Sequence, residues 1–399
     1  MISKVITNET NNETPIIVDS LSNFIQAISV VTKGTELYKQ VIEQFIQNIN
    51  SCSDKNKAWE YYTLTFLSNA SRSIFFTLSN FIGKIAQKQC KELIDLHTSI
   101  HNAVEKNFSN AEIILKNFSH ISSHSAEQLL FDYNISEEKK ILPMQVYYRG
   151  ESSKNWKTLP SVMRDDQLFS RESFFYHEIQ VRSPKEFEHL THLSKLATMQ
   201  HFNVPTRLLD ITSNPLNALY FACEGDDQIE QDGKVMFFPT MQGSMSYSDS
   251  DKALVLSSLA PLSHYEKFNI EQEIRKSTKD AYTDDSTSPF LNKLFLEICT
   301  EKPAFQRRIK FGDILNPLFV QPNMTNPRIA NQQGAFLLSG LSFDRDEAEK
   351  RIKDFISPIH IIIPANRKNF ILKELNSIGI NQATIYPNID KIAEYLKRL

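Results

Sequence analysis

From about residue 36 to about residue 130 the chain holds one glycine, Gly83, and no proline. A stretch of that length without the residues that most often interrupt regular structure can stay helical throughout. Its apolar positions agree, because Phe66, Ile74, Phe75, Leu78, Phe81 and Ile82 are spaced to share faces of long amphipathic helices. The aromatic residues Trp59, Tyr61, Tyr62, Phe66, Phe75 and Phe76 read as helix-packing core rather than as a ligand cage. Near Pro143 the texture changes. Val146-Tyr147-Tyr148 is a β-prone run ending at Arg149-Gly150, and from there glycines, prolines and strand-like pieces become frequent. The pattern divides the chain into a polar tail over 1–14, a short strand and helix over 15–35, a helical module over 36–135 and a mixed α and β region over 136–399.

Within these segments the elements are placed by periodicity and capping. Ile16-Ile17-Val18 predicts a strand, and Asp19-Ser20 predicts the cap of a helix whose apolar positions are Leu21, Phe24, Ile25, Ile28 and Val31. Further on, helices are expected over 187–199, from Asn214-Pro215, over 370–375 and from Asp390, with strands over 208–211, 234–238, 335–338 and 360–363. An apolar run, Thr384-Ile385-Tyr386, precedes Pro387. Residues 241–288, rich in Ser and Asp with weak periodicity, predict surface helix and loop.

The bulk properties narrow the function classes. A chain of 399 residues with 41% hydrophobic content can bury real cores, and a net charge of -3 gives no global attraction to nucleic acid or anionic membrane. Cys52, Cys90, Cys223 and Cys299 are far apart and form no C-x-x-C pair, so neither a zinc site nor a disulfide framework is expected. The N-terminus is polar, without a signal core, and no apolar run reaches the roughly 18 residues of a membrane span. A cytoplasmic protein without a metal or membrane partner is the expectation.

Three constellations carry chemical content. Tyr147-Tyr148-Arg149-Gly150-Glu151 sets an arginine at a strand end, where its planar fork can meet phosphate or carboxylate, or else pair structurally with Glu151 or Asp210. In the segment 200–213, Arg207 and Asp210 flank Leu208-Leu209 and read as a buried pair bracing the strand. Around that pair, Gln200 and His201 before it and Thr212 and Ser213 after it are the candidate ligand-binding residues. Finally, Asn331-Gln332-Gln333-Gly334 precedes an apolar strand; its carboxamides suit hydroxyl or amide recognition, or form a solvated turn.

These motifs, Tyr-Arg-Gly, then Gln-His-x-x-x-Pro-Thr-Arg-Leu-Leu-Asp-x-Thr-x-x-Pro-Leu-x-Ala-Leu-Tyr-Phe-Ala, then Asn-Gln-Gln-Gly-Ala-Phe, then Ile-Ile-Ile-Pro and Tyr-Pro-Asn-Ile-Asp, resemble the FRG domain family in their order. The resemblance covers about residues 141–396, and 16–31 resembles the strand and helix that stand ahead of the Arg-Gly strand. It implies that the helical module is inserted into the domain. A weaker resemblance, to ADP-ribosyltransferase folds, implies an α+β fold with a mixed or antiparallel β core, a large all-α insertion, and NAD as cofactor. In that mapping Arg149 holds the pyrophosphate or the nicotinamide ribose, Thr212 and Ser213 support the nicotinamide pocket, and Tyr148 packs on the cofactor with Gln200 and Gln332 beside it. Arg149, His201 and Gln333 form the catalytic set, with Gln333 where glutamate is usual. Glutamine keeps the hydrogen bond to ribose but not the charge that stabilises a developing oxocarbenium ion. Either a nearby carboxylate or His201 then supplies what is missing, or the pocket binds a nucleotide without transfer. The resemblance implies a toxin or anti-phage defence effector acting on a protein or nucleic-acid acceptor. The alternative is a non-catalytic nucleotide- or nucleic-acid-binding regulatory module whose helical insertion recruits a partner or a second copy. Nuclease action through His201, with Arg149 and Arg207 on phosphate, ranks last, since the paired acids of a metal site and a second histidine are missing.

Overall fold

The computed structural model describes residues 14–25, 27–28, 144–225, 230–241, 244–278, 281–282, 288–322, 327–357 and 359–398. The helical module expected over 36–135, with Cys52 and Cys90, lies outside the described residues, as does the tail through residue 13.

Among the described residues one sheet of seven strands organises the molecule, in the order β1 (Thr14–Ile17), β9 (Ile359–Ile363), β4 (Gly233–Met241), β2 (Met144–Glu151), β3 (Leu208–Thr212), β8 (Gly334–Leu338), β7 (Leu318–Val320). A two-stranded ribbon, β5 (Ala281–Tyr282) with β6 (Ile309–Lys310), lies apart. β1 and β9 run parallel and the other neighbours are antiparallel, so the sheet is mixed and the fold is α+β. Residues before the unassigned span and residues after it therefore share one sheet. Ser20 caps the turn after β1, accepting from Asn23 N at 3.3 Å. Residues 21–25 and 27–28 are helical, with Leu21, Phe24 and Ala27 buried and Ile25 exposed.

Alternation along the strands sorts side chains to two layers of helix. Tyr147, Met236 and Phe238 point to one side, where they join Leu193, Leu196 and Met199 of a helix His192–His201. Tyr148, Val235, Phe237, Ile361 and Ile363 point to the other, against the helices Pro215–Cys223 and Lys368–Ser377. For the helices that build the site we write α1 for Glu172–Arg182, α2 for His192–His201, α3 for Pro215–Cys223 and α4 for Asp251–Ser257. α5 is His264–Lys276, α6 Pro327–Asn331, α7 Lys368–Ser377, α8 Gln382–Ile385 and α9 Ile389–Leu396.

Two element expectations are corrected. The helix predicted over 187–199 begins only at His192, because His189 takes a left-handed conformation (φ 60°) and Thr191 then caps the first turn by accepting from Ser194 N. The surface character expected for 241–288 fails at α4, where Ala253 through Ser257 are all buried. A helix enclosed on every side has no polar face to produce a period, which is why its sequence reads as weakly periodic.

α3 sets the spacing of the core. Asn214 caps it, accepting from Leu216 N, and Pro215 occupies its first turn. Ala218 and Ala222 then bring its backbone onto β2 and β4. A Cβ added at Gly150 would lie 1.8 Å from the Ala218 carbonyl oxygen, and one at Gly233 would lie 2.1 Å from that of Ala222. The glycine of the Arg-Gly motif is thus required by helix approach rather than by backbone conformation.

The brace expected between Arg207 and Asp210 does not form. Residues three apart on an extended chain point to opposite faces, and Arg207 goes inward while Asp210 is exposed. Arg207 is fully buried and forks onto Glu172 of α1, Nε to Oε1 at 2.8 Å and Nη2 to Oε2 at 2.5 Å. Lys267 of α5 donates to the same Oε2 at 2.6 Å. Burial alone would raise the Glu172 carboxyl, but Arg207 and Lys267 outweigh it and hold it below its ordinary value of 4.5. Burial and the neighbouring Arg207 draw the Lys267 ammonium down.

Gly150→Ala should lower the unfolding free energy by more than about 2 kcal/mol through overpacking. Gly379→Ala, at φ 85° with nothing within 4 Å, should cost only about 1–2 kcal/mol of backbone strain. Equal losses in urea denaturation would contradict the helix-approach argument. Glu172→Gln, which leaves two cations buried, should cost about 3–5 kcal/mol. Because the folded-state pKa of Glu172 is depressed, its contribution is complete above pH 4.5 and lost as pH falls through the folded-state value. The difference between wild type and variant should shrink over that acid range.

Candidate functional site

The sheet is continuous between β2 and β4, from Met144 opposite Met241 to Glu151 opposite Lys234, but between β2 and β3 it pairs only at Tyr148 opposite Thr212. Where that ladder opens, strand carbonyls need another donor. Arg149 supplies one: Nη1 donates to the Asp210 carbonyl at 2.8 Å, and Nε to Glu151 Oε1 at 3.0 Å. Glu151 is buried and also meets Lys234 at 3.4 Å. The third nitrogen of the fork, Nη2, has no hydrogen-bond partner among the described residues, and the Arg149 side chain retains 11% exposure.

A cleft of about 1180 Å³ opens at this seam. Tyr148, Arg149, Gln200, His201, Asp210, Thr212 and Gln332 all line it, whereas Arg207, Ser213 and Gln333 are not among its lining residues. Several lining groups are committed to one another. Gln200 donates to Asp210 Oδ2 at 2.8 Å and accepts from Thr206 Oγ1 at 2.6 Å. Thr212 is buried, donates through Oγ1 to the Gln332 carbonyl at 2.6 Å and accepts from Asn214 N at 3.0 Å. Gln332 donates to the Ile385 carbonyl at 3.3 Å, and Asn331 to that of Thr384 at 3.0 Å. The run Asn331-Gln332-Gln333 therefore ties the end of β3 to α8. Gln333 is exposed in a left-handed turn (φ 47°) between α6 and β8, and its carbonyl, not its carboxamide, meets Ser213 at 3.1 Å through the backbone N–H.

His201 ends α2. Arg328 of α6 donates to its carbonyl at 3.0 Å, and the imidazole Nδ1 is buried with no hydrogen-bond partner among the described residues. Burial and the nearby Arg328 cation lower its pKa below 6.5, so the ring is neutral at pH 7.

The wall facing the seam was missed by sequence reasoning. Glu224, directly after α3, accepts from Tyr220 Oη at 3.1 Å and from Tyr386 Oη at 2.6 Å. Arg328 stacks over the Tyr386 ring with its guanidinium carbon 5.0 Å from the centroid. Burial pushes the Glu224 carboxyl up, against the Tyr386 and Tyr220 hydrogen bonds and the Arg328 and Lys391 charges, which pull it down. Burial and Glu224 raise both phenols. Lys373 of α7, Lys391 of α9 and Arg398 just after α9 complete this wall. The spacing of Tyr220 and Glu224, one helical turn apart, was the available local signal; Tyr386 lies 162 residues from Glu224.

Residues 144–231 match the family model of the FRG domain. The chain thus carries an FRG domain over this stretch, which takes in β2, α1 to α3 and the residues up to the start of β4. Arg149, Gly150, Gln200, His201, Thr212, Ser213 and Glu224 fall inside that stretch, while Arg328, Gln332, Gln333 and Tyr386 lie beyond it. No curated protein and no solved structure matches the chain. Among the described residues no group of His, Cys, Asp and Glu side chains is arranged to hold a metal ion, and no helix is long and apolar enough to cross a membrane.

In a titration followed by NMR, His201 should change protonation below pH 6.5, and Arg328→Ala should raise that midpoint by removing a like charge. A wild-type midpoint at or above 6.5 would contradict the environment described.

Proposed function

We propose that the cleft binds a nucleotide of the NAD type and that the protein is an ADP-ribosyltransferase-like enzyme. One observation carries this reading: Arg149 is held by Nε and Nη1 at the sheet seam, while Nη2 remains without a partner among the described residues in a cleft it lines. A guanidinium fixed in this way is a pre-oriented donor for a pyrophosphate oxygen. The surroundings suit the rest of such a ligand. Tyr148, Trp156, Tyr220 and Phe221 offer faces for a base or nicotinamide ring, and Arg328, Lys373 and Lys391 add positive charge. Ligand pockets commonly span about 300–1,000 Å³, so this cleft is large enough for a dinucleotide.

The expected division of roles changes in two respects. Gln333 does not line the cleft, so its carboxamide is not assigned to ribose. Thr212 acts by fixing the Gln332 backbone rather than by offering its own hydroxyl. The same two observations favour a second reading, in which the cleft binds a nucleotide or a nucleic-acid end without consuming it.

Calorimetry with NAD and ADP-ribose, together with chromatography for released nicotinamide, separates the readings. The enzyme should bind NAD and release nicotinamide, and Arg149→Ala should weaken NAD binding by about tenfold or more, as expected for a lost charge-assisted hydrogen bond. Arg149→Lys should rescue little of it, because lysine keeps the charge without the fork. Binding without nicotinamide release selects the second reading. If wild type binds neither ligand and Arg149→Ala behaves identically, both are abandoned.

A further inference from the structure

The geometry points to Glu224 as the general base of the cleft, the group that takes the proton from the nucleophile that attacks the ribose. This inference rests on the reading of the cleft as an NAD site.

The carboxylates lining the cleft differ in what holds them. Glu151 is paired with Arg149 and Lys234, and Glu394 with Lys391 at 2.9 Å. Asp210 is exposed and is held by the Gln200 carboxamide. Glu224 is half-buried, and its two oxygens accept from two phenols, Tyr220 and Tyr386. A carboxylate locked to a guanidinium is a weak base, whereas one held by neutral donors in a partly dry site keeps lone pairs and basicity for a proton. Its position is fixed by the same helix that fixes the seam. α3 passes Gly150 at the Ala218 carbonyl, and Gly225, at φ 116°, then turns the chain beside Ser152 at the end of β2. Glu224 therefore lies at the end of the glycine-locked helix, one residue before the turn that passes Ser152 after the strand carrying Arg149.

The step balances without another reagent. The C1′–N bond to nicotinamide breaks, and its electron pair neutralises the pyridinium nitrogen. A nucleophile bearing O–H or N–H forms the new bond to C1′, and its proton passes to Glu224, which becomes the neutral acid. The raised carboxyl agrees with this role. The groups facing Glu224 that set its titration are Tyr220 on its own helix, Tyr386 after α8, Arg328 on α6 and Lys391 on α9, with Arg398 acting on Tyr220.

The test uses the full chain with NAD, with water as the nucleophile, following nicotinamide and ADP-ribose across pH. Glu224→Gln should bind NAD within about threefold of wild type but turn it over about 100-fold more slowly or worse. Tyr386→Phe should keep substantial activity and move the acidic limb of the rate profile to higher pH, because the carboxylate loses a donor that stabilises its charge. That shift is a readout that a fold-only role for the pair does not produce. If wild type turns NAD over and Glu224→Gln does so within about threefold, the base assignment is overturned while the NAD reading stands. An unmoved acidic limb in Tyr386→Phe likewise overturns it. If wild type releases no nicotinamide, the NAD reading falls and takes this inference with it.

Discussion

The contact on which the rest of the structure depends is the pressing of α3 onto Gly150 and Gly233. Helices normally stand off a sheet by the depth of their side chains, and here the Ala218 and Ala222 backbone replaces side chains as the contact surface. Both glycines lie on strands that pair with each other along β2 and β4, Gly150 opposite Val235 and Gly233 opposite Ile363 on the next strand. One helix thus clamps three neighbouring strands. Its start is anchored by Asn214 next to the Thr212–Gln332 bond, and its end delivers Glu224. Both rims of the cleft are consequences of where this helix is forced to lie.

The cleft itself is an interruption in a sheet that is otherwise well paired. Such a gap would normally leave strand carbonyls competing for water, and Arg149 answers part of that need from within β2. The half made of β3, β8 and β7 is anchored separately, by the buried Arg207–Glu172–Lys267 cluster that joins β3 to α1 and α5. Each half therefore has its own anchor, and the seam between them is not required to supply cohesion.

Much of this was legible locally. The strand at β3, the cap and proline of α3, and the strands β4, β8 and β9 follow from short-range alternation and turn chemistry, and they appear where expected within three residues. What escaped was non-local. The partner of Arg207 is 35 residues away on a helix, not three residues away on the same strand, and one of the two phenols on Glu224 is 162 residues away. Gln332 and Gln333 both meet the end of β3 through their carbonyls, at Thr212 and Ser213. A left-handed turn then sent them different ways, one lining the cleft and one out of it. Backbone sign at a single residue is not encoded in motif order. The burial of α4 escaped for the opposite reason, since a uniformly enclosed helix erases the periodic signal on which sequence reading relies.

The pairing of β1 with β9 bears on how the protein is made. Leu21 N bonds the Glu374 carboxylate across 353 residues of chain, and Tyr386, Lys391 and Arg398 of the cleft come later still. On a ribosome β1 emerges long before β9, its sheet neighbour among the described residues, and the cleft wall follows later still. A nascent chain therefore carries the Arg149 strand without an assembled pocket until residues 386–398 have been made.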